Sequence, residues 1–181
     1  MTEINIQEIV EDLIQTFFYA GKISLDLRKK GLTKQIKSDN TPVSNGDLEV
    51  NKIITKKIIE LTPDIPIISE ETSDNKSKNN LKNFWLIDPI DGTYDYINNL
   101  DEFTINAGLI INKQPAAGLI YAPAKERMFY SYGQGKAFEL INEKEIKLKG
   151  SDNFNKNEIK FVCYSNKIKS EIEKIHSKLN V

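Results

Sequence analysis

Ile6, Ile9, Val10, Leu13, Phe17 and Ala20 recur at intervals of three and four, so residues 4–27 predict one long amphipathic helix with an inward apolar face. Glu8, Glu11, Asp12, Gln15, Lys22 and Asp26 interrupt the stretch, which therefore reads as neither a signal peptide nor a membrane span. A second helix is expected to start after Asn45 or Gly46 and to run to about residue 61, with Leu48, Ile54, Ile58 and Leu61 inward and Asp47 in its first turn. The period then changes. Residues 65–68 form a short apolar run, residues 72–82 are polar and rich in lysine and asparagine, and residues 84–87 have the aromatic and β-branched character of a buried strand. Residues 103–111, 116–121, 127–132, 136–140 and 145–148 alternate or run apolar between turn residues, the pattern of an antiparallel meander. Gly133-Gln134-Gly135 lies between two such segments and reads as a hairpin turn rather than a phosphate cradle. Helices followed by consecutive strands predict an α+β fold: a layered sandwich with N-terminal helices packed on a largely antiparallel sheet. Residues 158–164 read as a further strand, and residues 167–179 as a helix with Ile168, Ile172, Ile175 and Leu179 inward.

Composition narrows the class. The chain has 181 residues, 39% hydrophobic and 28% charged, enough for a real core. Its 25 basic and 26 acidic residues give a formal charge of −1 without a basic block, which argues against a nucleic acid polymer as partner. The single cysteine, Cys163, sits beside Phe161 and Val162 and reads as a core residue; one cysteine excludes an internal disulfide and is consistent with a reducing cytosol. The only histidine, His176, lies in a charged helical segment, which excludes a zinc cluster built on histidines.

The chemistry concentrates where the strand at 84–87 runs into Asp88-Pro89-Ile90-Asp91-Gly92-Thr93. Pro89 and Gly92 are expected to end the strand in a turn. Asp88 and Asp91 offer hard carboxylate oxygens to Mg2+, and the Ile90 carbonyl between them is a third oxygen. Gly92 and Thr93 would present backbone N–H groups at the start of a short helix, where phosphate is attracted. The spacing excludes an EF-hand, because Ile87 stands where its first acidic ligand belongs. An ordinary acidic turn capping a helix is the competing explanation. Taken singly, Asp47 reads as a helix cap, Thr93 as an N-terminal helical residue, Glu70 and Glu71 as a solvated pair, and Lys37 as a surface lysine.

Together these segments resemble the inositol monophosphatase superfamily, the Mg2+-dependent, lithium-sensitive phosphatases. Lys37-Ser38-Asp39-Asn40-Thr41-Pro42-Val43-Ser44-Asn45-Gly46-Asp47 is similar to the family's upstream segment, Ser69-Glu70-Glu71 to its paired-glutamate motif, and Glu102-Phe103-Thr104-Ile105-Asn106 to the strand after the main motif. The Thr41-Pro42-Val43 form and Gly118-Leu119-Ile120-Tyr121-Ala122-Pro123 look most like the 3'(2'),5'-bisphosphate nucleotidases of the CysQ type. Two departures, Gly46 in place of the usual alanine and Tyr94-Asp95-Tyr96 in place of Lys-Glu-Phe, bear on substrate preference in this reading.

The resemblance implies a sugar-phosphatase fold and hydrolysis of the 3'-phosphate of adenosine 3',5'-bisphosphate to AMP by activated water. Glu70, Asp88, Asp91 and the Ile90 carbonyl would hold two or more Mg2+ ions, about 3.5–4 Å apart, with lithium as an inhibitor. Asp47 and Thr93 would orient the water, Glu71 would support Glu70, and Gly92, Thr93 and Lys37 would meet the phosphate. Inositol-phosphate or histidinol-phosphate hydrolysis is the alternative within the superfamily. It further implies residues 1–156 as the N-terminal metal-binding domain and residues 157–181 as the first strand and helix of a truncated C-terminal domain, whose remainder carries another metal-site aspartate. One strand and one helix cannot bury a sheet, so a complementing C-terminal chain or a homo-oligomer is expected, or else the chain is a non-catalytic Mg2+-binding remnant. The expected location is cytoplasmic, with peripheral association at the inner membrane left open.

Overall fold

A computed structural model describes residues 5–37, 42–71 and 80–150, together with Lys174. Expectations for Ser38 to Thr41, most of the 72–82 loop, Cys163, His176 and the segments 158–164 and 167–179 lie outside the described residues, Lys174 apart. The chain divides into two units, Met1–Leu148 and Lys149–Val181, and every element below belongs to the first.

Helix α1 spans Ile6–Lys30, capped by the Asn5 side chain accepting from the Glu8 N–H and ended at Gly31. Its buried stripe of Ile9, Val10, Leu13, Ile14, Phe17 and Ala20 follows the expected period. A two-stranded hairpin, β1 (Lys34–Ile36) with β2 (Pro42–Ser44), leads into α2 (Asn45–Leu61). The inward face of α2 is Asp47, Val50, Asn51, Ile54 and Ile58, whereas Leu48 is 48% exposed. The expectation for Leu48 was therefore wrong: the stripe through Val50, Ile54 and Ile58 reaches position 47 at the head of the helix, and Asp47 occupies the inward place.

A seven-stranded sheet runs in sequence order: β3 (Ile67–Ser69), β4 (Phe84–Asp91), β5 (Thr104–Ile111), β6 (Gln114–Ala122), β7 (Arg127–Ser131), β8 (Ala137–Ile141) and β9 (Lys144–Lys147). Pairings from β4 onward are antiparallel, as the alternation predicted, and the Gly133–Gly135 segment turns β7 into β8. Two details differ from expectation. Strand β3 pairs with β4 in parallel, so that the carboxyl ends of both strands open on the same edge. Strand β4 does not stop at Ile87: register slips between Asp88 and Asp91, and Asp91 pairs again with Thr104. Pro89 has no N–H to give the ladder, so the strand bulges there without leaving the sheet.

Trp85, Ile87, Ile105, Leu109, Leu119 and Met128 turn toward α1 and α2 and form the core with Leu13, Phe17, Ile54 and Ile58. Polar groups within this layer find partners: Trp85 Nε1–H donates to Thr62 Oγ1 at 3.0 Å, and Ser69 Oγ–H to Asn51 Oδ1 at 2.6 Å. Among the described residues no helix is long and apolar enough to cross a membrane.

Candidate metal and phosphate site

Four chain ends meet at one edge of the sheet: the start of α2, the carboxyl ends of β3 and β4, and the five-residue helix α3 (Thr93–Ile97). Parallel pairing of β3 with β4 carries Glu70 beside Asp88, and the Glu70 N–H donates to the Ile87 carbonyl at 3.1 Å. Bulging at Pro89 then turns the chain so that Gly92 enters α3 at φ +89°. A Cβ on Gly92 would lie 2.6 Å from the Glu102 carbonyl, so both the backbone angle and the close approach require glycine. No side chain caps α3.

Asp47 is 1% exposed and does two jobs. Its Oδ2 accepts from the Ser44 backbone N–H at 2.8 Å and from Ser44 Oγ–H at 2.6 Å, closing a capping box on α2. Oδ1 accepts from the Thr93 hydroxyl at 3.1 Å, and that hydroxyl also lies 2.9 Å from the Ile90 carbonyl. The cap and the expected pairing with Thr93 are thus one arrangement. A carbonyl has two lone pairs, so the contact with Thr93 leaves Ile90 able to bind a second partner.

Lys37 Nζ reaches Glu71 Oε1 at 2.7 Å and Glu70 Oε1 at 3.5 Å. Burial alone would lower the ammonium's pKa, but its bonds and charge attraction to Glu71 and Glu70 outweigh that and raise it. At Glu71, whose side chain is 5% exposed, burial prevails over the Lys37 pair and the carboxyl is raised above its ordinary value.

The strongest perturbation falls on Asp88. Burial first, then the negative charges of Glu70, Asp91 and Asp47, together with a hydrogen-bonding contact to Glu70, push its carboxyl up to about 7. Asp88 Oδ1 is buried with no hydrogen-bond partner. Such an acceptor, crowded by like charges, fits a divalent cation as its missing neighbour. Among the described residues no group of three or more His, Cys, Asp and Glu side chains is closed into an ion cage. The acids instead stand within Coulomb range of one another along the edge.

Sequence reasoning missed Asn106, which pairs with Asp88 across β4 and β5 and donates from Nδ2 to Asp91 Oδ2 at 3.3 Å. Period-two alternation in β5 could have placed it on the Asp88 face, but only the register shows which residue it faces. The departures at Gly46 and Tyr96 also have a local explanation. A Cβ at Gly46 would meet the Tyr96 hydroxyl and lie 2.6 Å from Cε1 and 2.8 Å from Cζ, while that hydroxyl donates to the Ser24 carbonyl at 2.7 Å. Glycine at one position makes room for tyrosine at the other, inside the core. Arg28 then clamps the segment after α3, lying 5.2 Å over the Phe103 ring, donating to the Leu100 carbonyl at 2.8 Å and pairing with Asp101 at 3.0 Å.

Known proteins resemble this chain in sequence and in fold. A CysQ 3'(2'),5'-bisphosphate nucleotidase of Aggregatibacter actinomycetemcomitans is 33% identical over 142 residues, covering 77% of this chain and 53% of the relative. The CysQ protein of an Escherichia coli strain is 39% identical over 104 residues, 57% of this chain and 42% of its own. Among solved structures, the Thermotoga maritima IMPase superposes with a TM-score of 0.67 at 25% identity, over 80% of this chain and 54% of that one. The chain spans about half the length of the curated relatives it matches. The sequence model of the inositol monophosphatase family covers residues 5–180: the chain belongs to the inositol monophosphatase family and is similar to its CysQ-type members.

Proposed function

We propose that this chain carries the metal-binding half of a Mg2+-dependent phosphatase that removes the 3'-phosphate of adenosine 3',5'-bisphosphate, leaving AMP and phosphate. Glu70, Asp88, Asp91 and the Ile90 carbonyl would hold Mg2+, which when bound supplies Lewis acidity and a more acidic water. The observation that carries the reading is the Thr93 hydroxyl, set between Asp47 Oδ1 and the Ile90 carbonyl at the end of the strand that bears both aspartates.

With its proton directed to Asp47, the Thr93 oxygen keeps lone pairs to accept a hydrogen bond from the attacking water. As the water oxygen bonds to phosphorus, its proton passes to Thr93 and the threonine proton to Asp47, while the bond from phosphorus to the ribose 3'-oxygen breaks and that oxygen takes a proton from a second water to leave as the 3'-hydroxyl. Ser44, donating twice to the other oxygen of Asp47, fixes the carboxylate that receives the proton. Gly92 lets the chain turn tightly enough to bring the first N–H groups of α3 to the same edge, and Lys37 sets a positive charge beside Glu70 and Glu71. Similarity to CysQ-type nucleotidases over 77% of the chain favours a nucleotide bisphosphate over an inositol phosphate.

The test is phosphate release from adenosine 3',5'-bisphosphate and from inositol 1-phosphate, with and without Mg2+. Turnover that requires Mg2+ and prefers the nucleotide is expected, with Thr93→Val slower by about 10²–10⁴-fold and Thr93→Ser close to the parent. Equal rates for Thr93→Val and the parent would overturn the role of the hydroxyl, and preference for inositol 1-phosphate would overturn the substrate.

A further inference from the structure

Among the described residues, two buried side-chain oxygens have no hydrogen-bond partner, Asp88 Oδ1 and Asn106 Oδ1. They belong to residues directly opposite each other across β4 and β5. Trp85, Ile87, Ile105 and Ala107 are buried in the helix-covered layer, so alternation places Asp88 and Asn106 together on the opposite face. Both line one end of a cavity of about 480 Å³ floored by β4 to β8. Side chains at directly paired positions stand about 5 Å apart at Cβ, close enough to share one small partner.

Asn106 has little freedom to correct its own vacancy. Its Nδ2 donates to Asp91 Oδ2 at 3.3 Å, and turning the amide over would set its carbonyl oxygen against that carboxylate. Oδ1 is thereby left facing its surroundings as an acceptor beside a second unpaired acceptor. Among the described residues, the charged groups around Asp88 are Glu70, Asp91 and Asp47, none of which adds a donor when ionised, and Lys37, a cation at this edge, is engaged with Glu71 and Glu70. Two adjacent buried acceptors among like charges call for a positively charged partner that also brings donors. A hydrated divalent cation is both.

We infer that Asn106 is a positioning residue of the cation site, its Nδ2 aiming the Asp91 carboxylate and its Oδ1, beside Asp88 Oδ1, accepting a hydrogen bond from the ion's hydration shell. This rests on the metal reading of Asp88 and Asp91 given above. It explains why an amide suits the position better than a carboxylate: asparagine supplies a donor to Asp91 and an acceptor to water without adding another negative charge to the edge.

The test compares the full chain with Asn106→Leu, which keeps the shape and removes both polar atoms, with Asn106→Ser, and with Asp88→Asn as control. Mg2+ affinity is read by titration calorimetry, and the thermal midpoint is measured with and without Mg2+. Outer groups that orient metal ligands are worth about 10–100-fold in affinity, and a loss of that size is expected for Asn106→Leu, with no fall in the metal-free midpoint because an unpaired buried acceptor has been removed. Asn106→Ser, retaining an oxygen, should lose less. A lower metal-free midpoint for Asn106→Leu with unchanged Mg2+ affinity would make Asn106 merely structural and overturn the inference. Unchanged affinity in both Asn106 variants alongside a large loss in Asp88→Asn would overturn it while leaving the metal reading standing. A parent chain with no Mg2+ response would overturn both.

Discussion

The two sides of the sheet around β4 treat buried polar atoms in opposite ways. Toward the helices, Trp85 Nε1 finds Thr62, Ser69 finds Asn51, and Tyr96 finds the Ser24 carbonyl, each at 3.0 Å or less. Toward the opposite face, Asp88 and Asn106 each keep an unpaired oxygen among like charges. A buried acceptor without a partner is costly, so a fold tolerates it where something outside the chain completes it. One face is finished by the chain's own groups, and the other leaves two buried acceptors without a partner among the described residues.

That contrast can be broken first in the finished layer. Ile54 is fully buried in α2 against the sheet, and Ile54→Ala is expected to cost about 2–5 kcal/mol in urea unfolding while leaving Mg2+ affinity unchanged. A changed affinity would mean that the core and the acidic edge are not separable. Next in size is Gly92→Ala. A Cβ there meets the Glu102 carbonyl, so the turn must shift, and a displacement near 1 Å at reacting groups lowers turnover by about 10²-fold. Phosphate release beside a melting curve separates this from unfolding: activity should fall further than stability accounts for.

Smaller still is the coupling of Gly46 to Tyr96. Gly46→Ala should destabilise by about 1–3 kcal/mol by overpacking against the ring. In a Tyr96→Phe background, which itself costs about 1 kcal/mol for the lost bond to Ser24, the released ring can move and the added methyl should cost less. A double-mutant cycle with no interaction would refute the pairing.

A separate effect is expected on pH dependence. Asp88 is raised to about 7 when folded, against about 3.9 in an unfolded chain. Between those values the folded protein binds the additional proton, so this group's stabilising contribution is complete below about pH 4 and is lost as pH rises through 7. Metal-free protein should therefore lose stability across that window, and Asp88→Asn should flatten the slope. An equal slope in both proteins would mean that Asp88 is not the titrating group.

Local patterns carried most of the fold. The spacing of Ile9, Leu13, Phe17 and Ala20 marked α1, and alternation marked β5 to β9 within a residue or two, because these signals lie within single elements. Asp88, Asp91, Gly92 and Thr93 were grouped by one short motif, and the structure keeps them together at the end of β4 and the start of α3. What escaped depended on distant chain segments. Nothing near Ile67 announces a parallel partner 18 residues on, nor does Gly46 announce a ring from α3. Leu48 was misplaced because the inward position it was assigned belongs to Asp47, an acid held buried by Ser44 and Thr93 rather than by apolar packing. Asn106 was named only as the end of a strand segment for the same reason: the residue it faces lies across the ladder.

The most direct measurement is the thermal midpoint of the parent chain and Asp88→Asn at pH 8, each with and without Mg2+. If the acidic edge is held for a divalent cation, the metal-free Asp88→Asn chain melts higher than the parent, because one repelling charge is gone, while Mg2+ raises the parent and leaves the variant nearly unmoved. Equal Mg2+ shifts in the two proteins, or none in the parent, would contradict the assignment of Asp88 to a metal site.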